Sequence, residues 1–186
     1  MAMLGSTKSI KEYKDVLKGK VWVFPHNVDT DIISPGKYLD DMDATLAHTC
    51  DTIIKEFPSE VKEGDIIVAG RNFGCGSSRE TAPIILQEKG TAGVVAESFA
   101  RIFYRSSFGR ALPILEIPDI SKEFETGDEI EINIPNAEVK NLTKGTTFKA
   151  ATIPDMLMSL LKNGGMEKQL LAELKAKGKA LKEQQK

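Results

Sequence analysis

Two short apolar runs, Asp65-Ile66-Ile67-Val68-Ala69-Gly70 and Gly93-Val94-Val95-Ala96, read as buried strands and bracket a glycine-rich loop and a helix expected over about Ser78 to Lys89. Runs this short are strands rather than core helices, and a strand that is apolar at every position is covered on both faces. A loop and helix crossing between two such strands make them parallel neighbours. The pattern continues with a helix over Phe99 to Phe108 and a third strand over Pro113 to Ile117. The β-loop-α-β-α-β order therefore predicts an α/β fold with a partly parallel sheet and helices against it.

The flanking segments add antiparallel structure. Val21 to Phe24 reads as a strand ended by Pro25, followed by a polar, turn-rich loop from His26 to Pro35. Leu46, Ile53, Ile54 and Phe57 predict a helix over Ala44 to Phe57 that Pro58 stops. Glu129 to Ile134 alternates strictly, as a half-buried strand does, and Thr146 to Thr152 is its expected hairpin partner across the Lys144-Gly145 turn. A helix opens at Pro154-Asp155 and runs through Leu161, Asn163-Gly164-Gly165 breaks it, and a lysine-rich tail from Lys175 is expected to fray. The length of 186 residues accords with a single domain over 1–186, its core spanning about 20–165 and a C-terminal helix and tail covering 166–186.

Composition narrows the function. A formal charge of −2 offers no electrostatic footprint for nucleic acid or an anionic membrane. Two cysteines, Cys50 and Cys75, with two histidines, His26 and His48, are too few for a zinc or iron–sulfur site within the chain. The N-terminal stretch has no apolar segment long enough for a signal peptide, which leads to the expectation of a soluble cytoplasmic protein. All five arginines, Arg71, Arg79, Arg101, Arg105 and Arg110, fall between positions 71 and 110, where Lys89 is the sole lysine. Guanidinium presents a planar fork matched to carboxylate or phosphate, so the cluster suggests anion recognition; structural pairing of individual arginines is the alternative.

The loop Gly70-Arg71-Asn72-Phe73-Gly74-Cys75-Gly76-Ser77-Ser78-Arg79-Glu80 joins these signals. Its glycines allow close backbone approach, and the following helix N-terminus offers N–H groups to an anion. Ser77 and Glu80 also have the spacing of a capping box, in which case Ser77 caps a helix, although Pro83 shifts the start of regular helix towards Glu80. There is no Walker lysine and no G-x-S-x-G elbow. A Cys75 thiolate is disfavoured because nothing in the spacing brings His26 or His48 to it.

With Asn27-Val28-Asp29-Thr30-Asp31-Ile32-Ile33 upstream and Glu97-Ser98-Phe99-Ala100-Arg101-Ile102 downstream, this loop resembles that of the small subunits of 3-isopropylmalate dehydratase, the swivel domains of the aconitase superfamily. The likeness runs from about Lys20 to Gly165 and includes Asn141-Leu142-Thr143-Lys144-Gly145. It implies a swivelling β/β/α domain of aconitase type. It also implies a hydro-lyase that isomerises a hydroxy-dicarboxylic acid through an enzyme-bound alkene, active only with a large subunit. That partner would carry a [4Fe-4S] cluster, and this chain would bind no cofactor of its own.

By the same resemblance Ser77 is the base that removes the proton beside a carboxylate, and Ser78 and Arg79 bind the substrate carboxylate or support the base. Donors of the turn from Gly76 to Arg79 would steady the alkoxide. Asp31 matches a carboxylate that steers a partner-subunit histidine; its alternative is an Asx-turn residue. Three positions depart from the family pattern. Asp40 to Asp43 stand where an arginine or another selector of substrate is common, leaving Lys37 or a clustered arginine to supply the cation. Thr81 replaces the usual histidine, and Pro25-His26 replaces Gly-Asp. Isopropylmalate is the expected substrate, with homoaconitate, citramalate and dimethylmalate types open, and a non-catalytic anion-binding module as a further alternative.

Overall fold

The patterning becomes a seven-stranded mixed sheet in the computed structural model, which describes residues 12–77 and 79–183, the last six without their side chains. Strand β1 (Val16–Phe24) is shared by the two parts of the sheet. Its second half, from Val21 to Phe24, pairs in parallel with β2 (Ile66–Ala69), which continues in parallel to β3 (Gly93–Ala96) and β4 (Ile114–Glu116). Its first half, from Val16 to Lys20, pairs antiparallel with β5 (Glu129–Asn133), which continues to β6 (Glu138–Asn141) and β7 (Thr146–Lys149). Just before β1 changes partner, a Cβ on Gly19 would stand 2.1 Å from the Gly64 carbonyl oxygen. The turn leading into β2 can press against β1 only because that residue has no side chain.

Burial follows the sequence pattern. Every residue of β2 and β3 is buried, whereas β5 buries Ile130 and Ile132 and exposes Glu129. Three short helices, α1 (Thr30–Ile33), α2 (Met42–Ala47) and α3 (Phe57–Glu60), lie between β1 and β2. The crossovers α4 (Ala82–Glu88) and α5 (Arg101–Gly109) follow β2 and β3, and α6 (Asp155–Lys162) and α7 (Met166–Glu183) pack on α5. Phe73, on the glycine-rich loop, is fully buried in edge-on contact with Phe24, Phe99 and Phe103 at centroid distances of 6.3, 6.1 and 5.3 Å. Burying one such ring stabilises by about 1.5–3 kcal/mol, so the aromatic cluster anchors the loop to the core.

The partly parallel α/β architecture expected from the sequence is present, with four differences of detail. The antiparallel part is a three-stranded meander: β6 lies between β5 and β7, so 146–152 does not pair with 129–134. The helix expected over 44–57 stops at Ala47 and gives way to turns up to the start of α3, because Cys50 takes a left-handed φ of 60° and its N–H turns away to the Ile32 carbonyl at 2.9 Å. Pro58 does not stop a helix but sits in the first turn of α3, where its missing N–H costs nothing. Helix α7 carries on past Lys175 to Glu183, in a stretch rich in the helix formers Ala, Leu, Lys and Glu.

Candidate active site

Beyond the last hydrogen bonds of β1, β2 and β3 the three chains stay in register for a few residues. Asp29 bridges to Cys75 and Phe73 to Phe99 in parallel fashion. The Thr30 N–H donates to the Cys75 carbonyl at 2.9 Å, the Gly74 N–H to Val28 at 2.8 Å, and the Ala100 N–H to Phe73 at 2.9 Å. The glycine-rich loop is thus held as a rib between two neighbours at the C-terminal edge of the parallel strands, where open α/β sheets place their ligands.

Two glycines make that rib possible. Gly74 and Gly76 have φ of 78° and 85°, and added Cβ atoms would stand 2.2 Å from Phe103 Cγ and 2.1 Å from Asp29 Oδ2. Asp29 needs that space because it caps α1: its carboxylate accepts the Asp31 N–H at 2.7 Å. The cap aims Asp31 across the gap at the loop. There the Ser77 hydroxyl donates to Asp31 Oδ1 at 2.5 Å, and Arg79 Nε–H donates to the same oxygen at 2.6 Å. The Arg79 side chain is 20% exposed and the Asp31 side chain 51%. Arg79, and after it Ser77, holds the Asp31 carboxyl below the usual range for an aspartate.

Three of the residues singled out from the sequence, Ser77, Arg79 and Asp31, therefore meet at one oxygen atom. Gly76 supplies the bend between them. Lys37 is near but apart: its ammonium lies 4.5 Å above the Tyr38 ring, and it shares with Asp31, Tyr38 and His48 the wall of a cavity of about 160 Å³. Ser78 falls outside the described residues. Ser77 does not cap α4, whose N-cap is Thr81, without a side-chain bond; the capping-box alternative is set aside. Thr81 instead shares a hydrogen bond with the buried Ser34 hydroxyl at 3.1 Å.

The acidic run from Asp40 to Asp43 has a structural task, since Asp41 caps α2 by accepting the Ala44 N–H at 3.0 Å. The arginine cluster divides. Arg79 alone is in the constellation, while Arg71 pairs with Glu97 at 3.9 Å and Arg110 with Glu167 at 3.8 Å. Burial, and then Asp29, push the Cys75 thiol up, away from the thiolate a nucleophile needs. The histidines are occupied elsewhere: His26 Nδ1 accepts the Arg71 N–H, and His48 Nδ1 bonds Asp51 at 2.7 Å while its ring stacks on Tyr38 at 4.4 Å. Asp29 was missed as a member of the site, although an aspartate followed within four residues by Ile32 and Ile33 carries the N-cap signal.

Residues 25–119, which contain the whole constellation, match the aconitase C-terminal domain family. The chain is 47% identical over 152 residues to the 3-isopropylmalate dehydratase small subunit of Thermodesulfovibrio yellowstonii, covering 81% of this chain and 90% of that one. The chain belongs to the family of 3-isopropylmalate dehydratase small subunits. Another relative, the isopropylmalate/citramalate isomerase small subunit of Methanocaldococcus jannaschii, is 45% identical over 158 residues, 82% of this chain and 92% of that one. The crystal structure of a 3-isopropylmalate dehydratase from the same organism superposes with a TM-score of 0.82 at 38% identity, covering 89% of this chain and 99% of that one. For this family the fold is the expected one, and no helix among the described residues is long and apolar enough to cross a membrane.

Proposed function

We propose that this chain is the small subunit of a hydro-lyase that interconverts 3-isopropylmalate and 2-isopropylmalate in leucine biosynthesis, working with a separate large subunit. The observation that carries the reading is the convergence of the Ser77 hydroxyl and Arg79 Nε–H on one oxygen of Asp31, at 2.5 and 2.6 Å, on an open edge of the sheet. The relatives' shared name supports the choice of substrate. The donors of this chain do not fit an iron–sulfur cluster: Cys50 is fully buried, Cys75 lies on the glycine rib, and no group of three His, Cys, Asp or Glu among the described residues could hold a metal ion. The cluster therefore belongs, in this proposal, to the large subunit.

In this reading Ser77 removes the proton beside a substrate carboxylate, and to do so it must first lose its own. Asp31 is the acceptor in place. While Arg79 sits on Asp31 it opposes that transfer, because its hydrogen bond is the largest cause of the lowered carboxyl pKa. A substrate carboxylate offers the guanidinium a competing two-point partner. As Arg79 turns to it, Asp31 regains basicity and takes the Ser77 proton, and the alkoxide so formed accepts the C–H proton of the substrate. Rehydration runs the two transfers in reverse. Lys37, on the cavity wall beside Asp31, is the second cation proposed to meet a carboxylate, with Ser78 and the Gly76 backbone completing the cradle.

Reconstitution with a large subunit under anaerobic conditions tests the proposal. Ser77→Ala should lower kcat by about 10²- to 10⁴-fold, the usual contribution of a positioned base, while leaving the melting temperature of the small subunit unchanged. Near-normal turnover would remove Ser77 from the reaction. A citramalate-type substrate is the second reading, favoured by the isopropylmalate/citramalate relative. Relative kcat/KM for isopropyl- and methyl-substituted substrates decides between the two.

A further inference from the structure

Arg79 is held from two sides, and only one of them is a hydrogen bond. Its Nε–H is fixed on Asp31 Oδ1, while the outer nitrogens lie flat against Gly36: a Cβ built on that glycine would stand 2.7 Å from Nη2, 3.2 Å from Nη1 and 3.3 Å from Cζ. The guanidinium thus occupies the space where any other residue would carry its side chain. The backbone that carries it is itself fixed. The Arg79 N–H donates to the fully buried Thr30 hydroxyl at 3.4 Å, the Arg79 carbonyl accepts the Ala82 N–H at 3.1 Å, and the next turn is joined to Ser34 through Thr81 at 3.1 Å.

Gly36 differs from the other glycines of the site. It opens the short 3-10 turn from Gly36 to Tyr38, and its φ lies outside the left-handed region that Gly74 and Gly76 require. Alanine is therefore compatible with the backbone at 36. What it is incompatible with is the guanidinium. We infer that Gly36 is a positioning residue for the reaction, its bare Cα face being the seat that holds the Arg79 guanidinium in line with Asp31 and Ser77. The inference rests on the role given to Arg79 in the proposed function, but the seat itself is a property of this chain.

Gly36→Ala tests it with two readouts. In the free small subunit, the Arg79 Nε–H resonance in a nitrogen-15 NMR spectrum, assigned by its loss in Arg79→Lys, should be protected from exchange in the wild type and lose that protection in Gly36→Ala. In the reconstituted enzyme, kcat/KM should fall about 10- to 100-fold, the range for losing a hydrogen bond to a charged partner, here the substrate carboxylate that a displaced Arg79 no longer meets, and the melting temperature should fall no further than in Asp31→Asn. Arg79 Nε–H still protected in the alanine variant overturns the inference. So does a variant that fails to fold, since the cost would then lie in the backbone. A displaced Arg79 with unchanged turnover keeps the seat and instead overturns the role of Arg79 in the proposed function.

Discussion

Replacing Gly76 by alanine should destabilise the chain by about 2–3 kcal/mol, through two separable causes. At φ 85° the residue is in the left-handed region, which costs an L side chain roughly 1–2 kcal/mol. The new Cβ would also fall 2.1 Å from Asp29 Oδ2 and 2.2 Å from Oδ1, so the carboxylate must leave. Leaving breaks its cap on the Asp31 N–H, a loss of about 1 kcal/mol. Asp29→Ala alone removes only the cap, at about 1 kcal/mol. In the Asp29→Ala background the three atoms nearest the new Cβ are gone, so the alanine at 76 should add the dihedral cost alone. The double variant should then be no less stable than Gly76→Ala, and the two single effects should exceed it in sum by about 1 kcal/mol. Urea denaturation followed by fluorescence of Trp22, the single tryptophan, measures this, because its indole is tied to Asp65 at 2.9 Å and packs on Phe57. Strict additivity would refute the collision with Asp29, and a Gly76→Ala variant within 0.5 kcal/mol of wild type, roughly the background for surface changes, would refute the whole argument.

Two further outcomes are expected from the charges around the site. Asp31 has its pKa depressed below 3.8 in the folded chain by Arg79 and then Ser77, so its contribution to stability is present above pH 3.8 and is lost as pH falls through the depressed value. Asp31→Asn should therefore be less stable than wild type at pH 7, with the gap closing in acid below about pH 4; thermal melts from pH 7 to pH 2 read this, and a gap that widens in acid contradicts the sign. Cys75 should alkylate with iodoacetamide more slowly at pH 7 than a small free thiol, because desolvation and Asp29 raise its pKa, while Cys50, fully enclosed, should label only on unfolding. Peptide mass mapping against time distinguishes the two cysteines.

What the sequence made legible was whatever rests on period and punctuation. β2 and β3 declared themselves because burial on both faces leaves no polar position. The loop was visible because Gly74 and Gly76 do what no other residue does cheaply at φ of 78° and 85°. β6 escaped because Glu138-Val139-Lys140-Asn141 buries one apolar side chain, Val139, and its other buried residue is polar. Asn141 is inside because its amide spans the Glu123 carbonyl and the Asp128 carboxylate, at 3.0 and 2.9 Å, a reason invisible in hydropathy. The break at Cys50 escaped for a similar cause: a left-handed cysteine has no compositional mark, and it is tertiary bonding to Ile32 that holds it there. At the site, residue types at family spacing located Ser77, Arg79 and Asp31, but their meeting at a single oxygen is geometry. Gly36 was unreadable for the same reason, since its partner lies 43 positions away and the contact is the absence of a side chain.

Under the proposed function, the shared oxygen also bears on how a site divided between two chains would work. In water two unit charges about 4 Å apart attract by roughly 1 kcal/mol, and at an effective dielectric of 20 by roughly 4 kcal/mol. With half of the Asp31 side chain in solvent, the Arg79–Asp31 pair in the free subunit is near the first limit, and Ser77 stays a neutral donor to a carboxylate that solvent also serves. A partner that covers this edge moves the same atoms towards the second limit. Every charge–charge term then grows several-fold, including the competition between a substrate carboxylate and Asp31 for the one guanidinium. In the proposed mechanism, proton transfer from Ser77 would thereby be tied to the state in which substrate and partner are both present, because only then would Arg79 have a stronger alternative than Asp31. On that proposal, the exposed arrangement in the free chain would be a resting state kept inactive by its own ion pair.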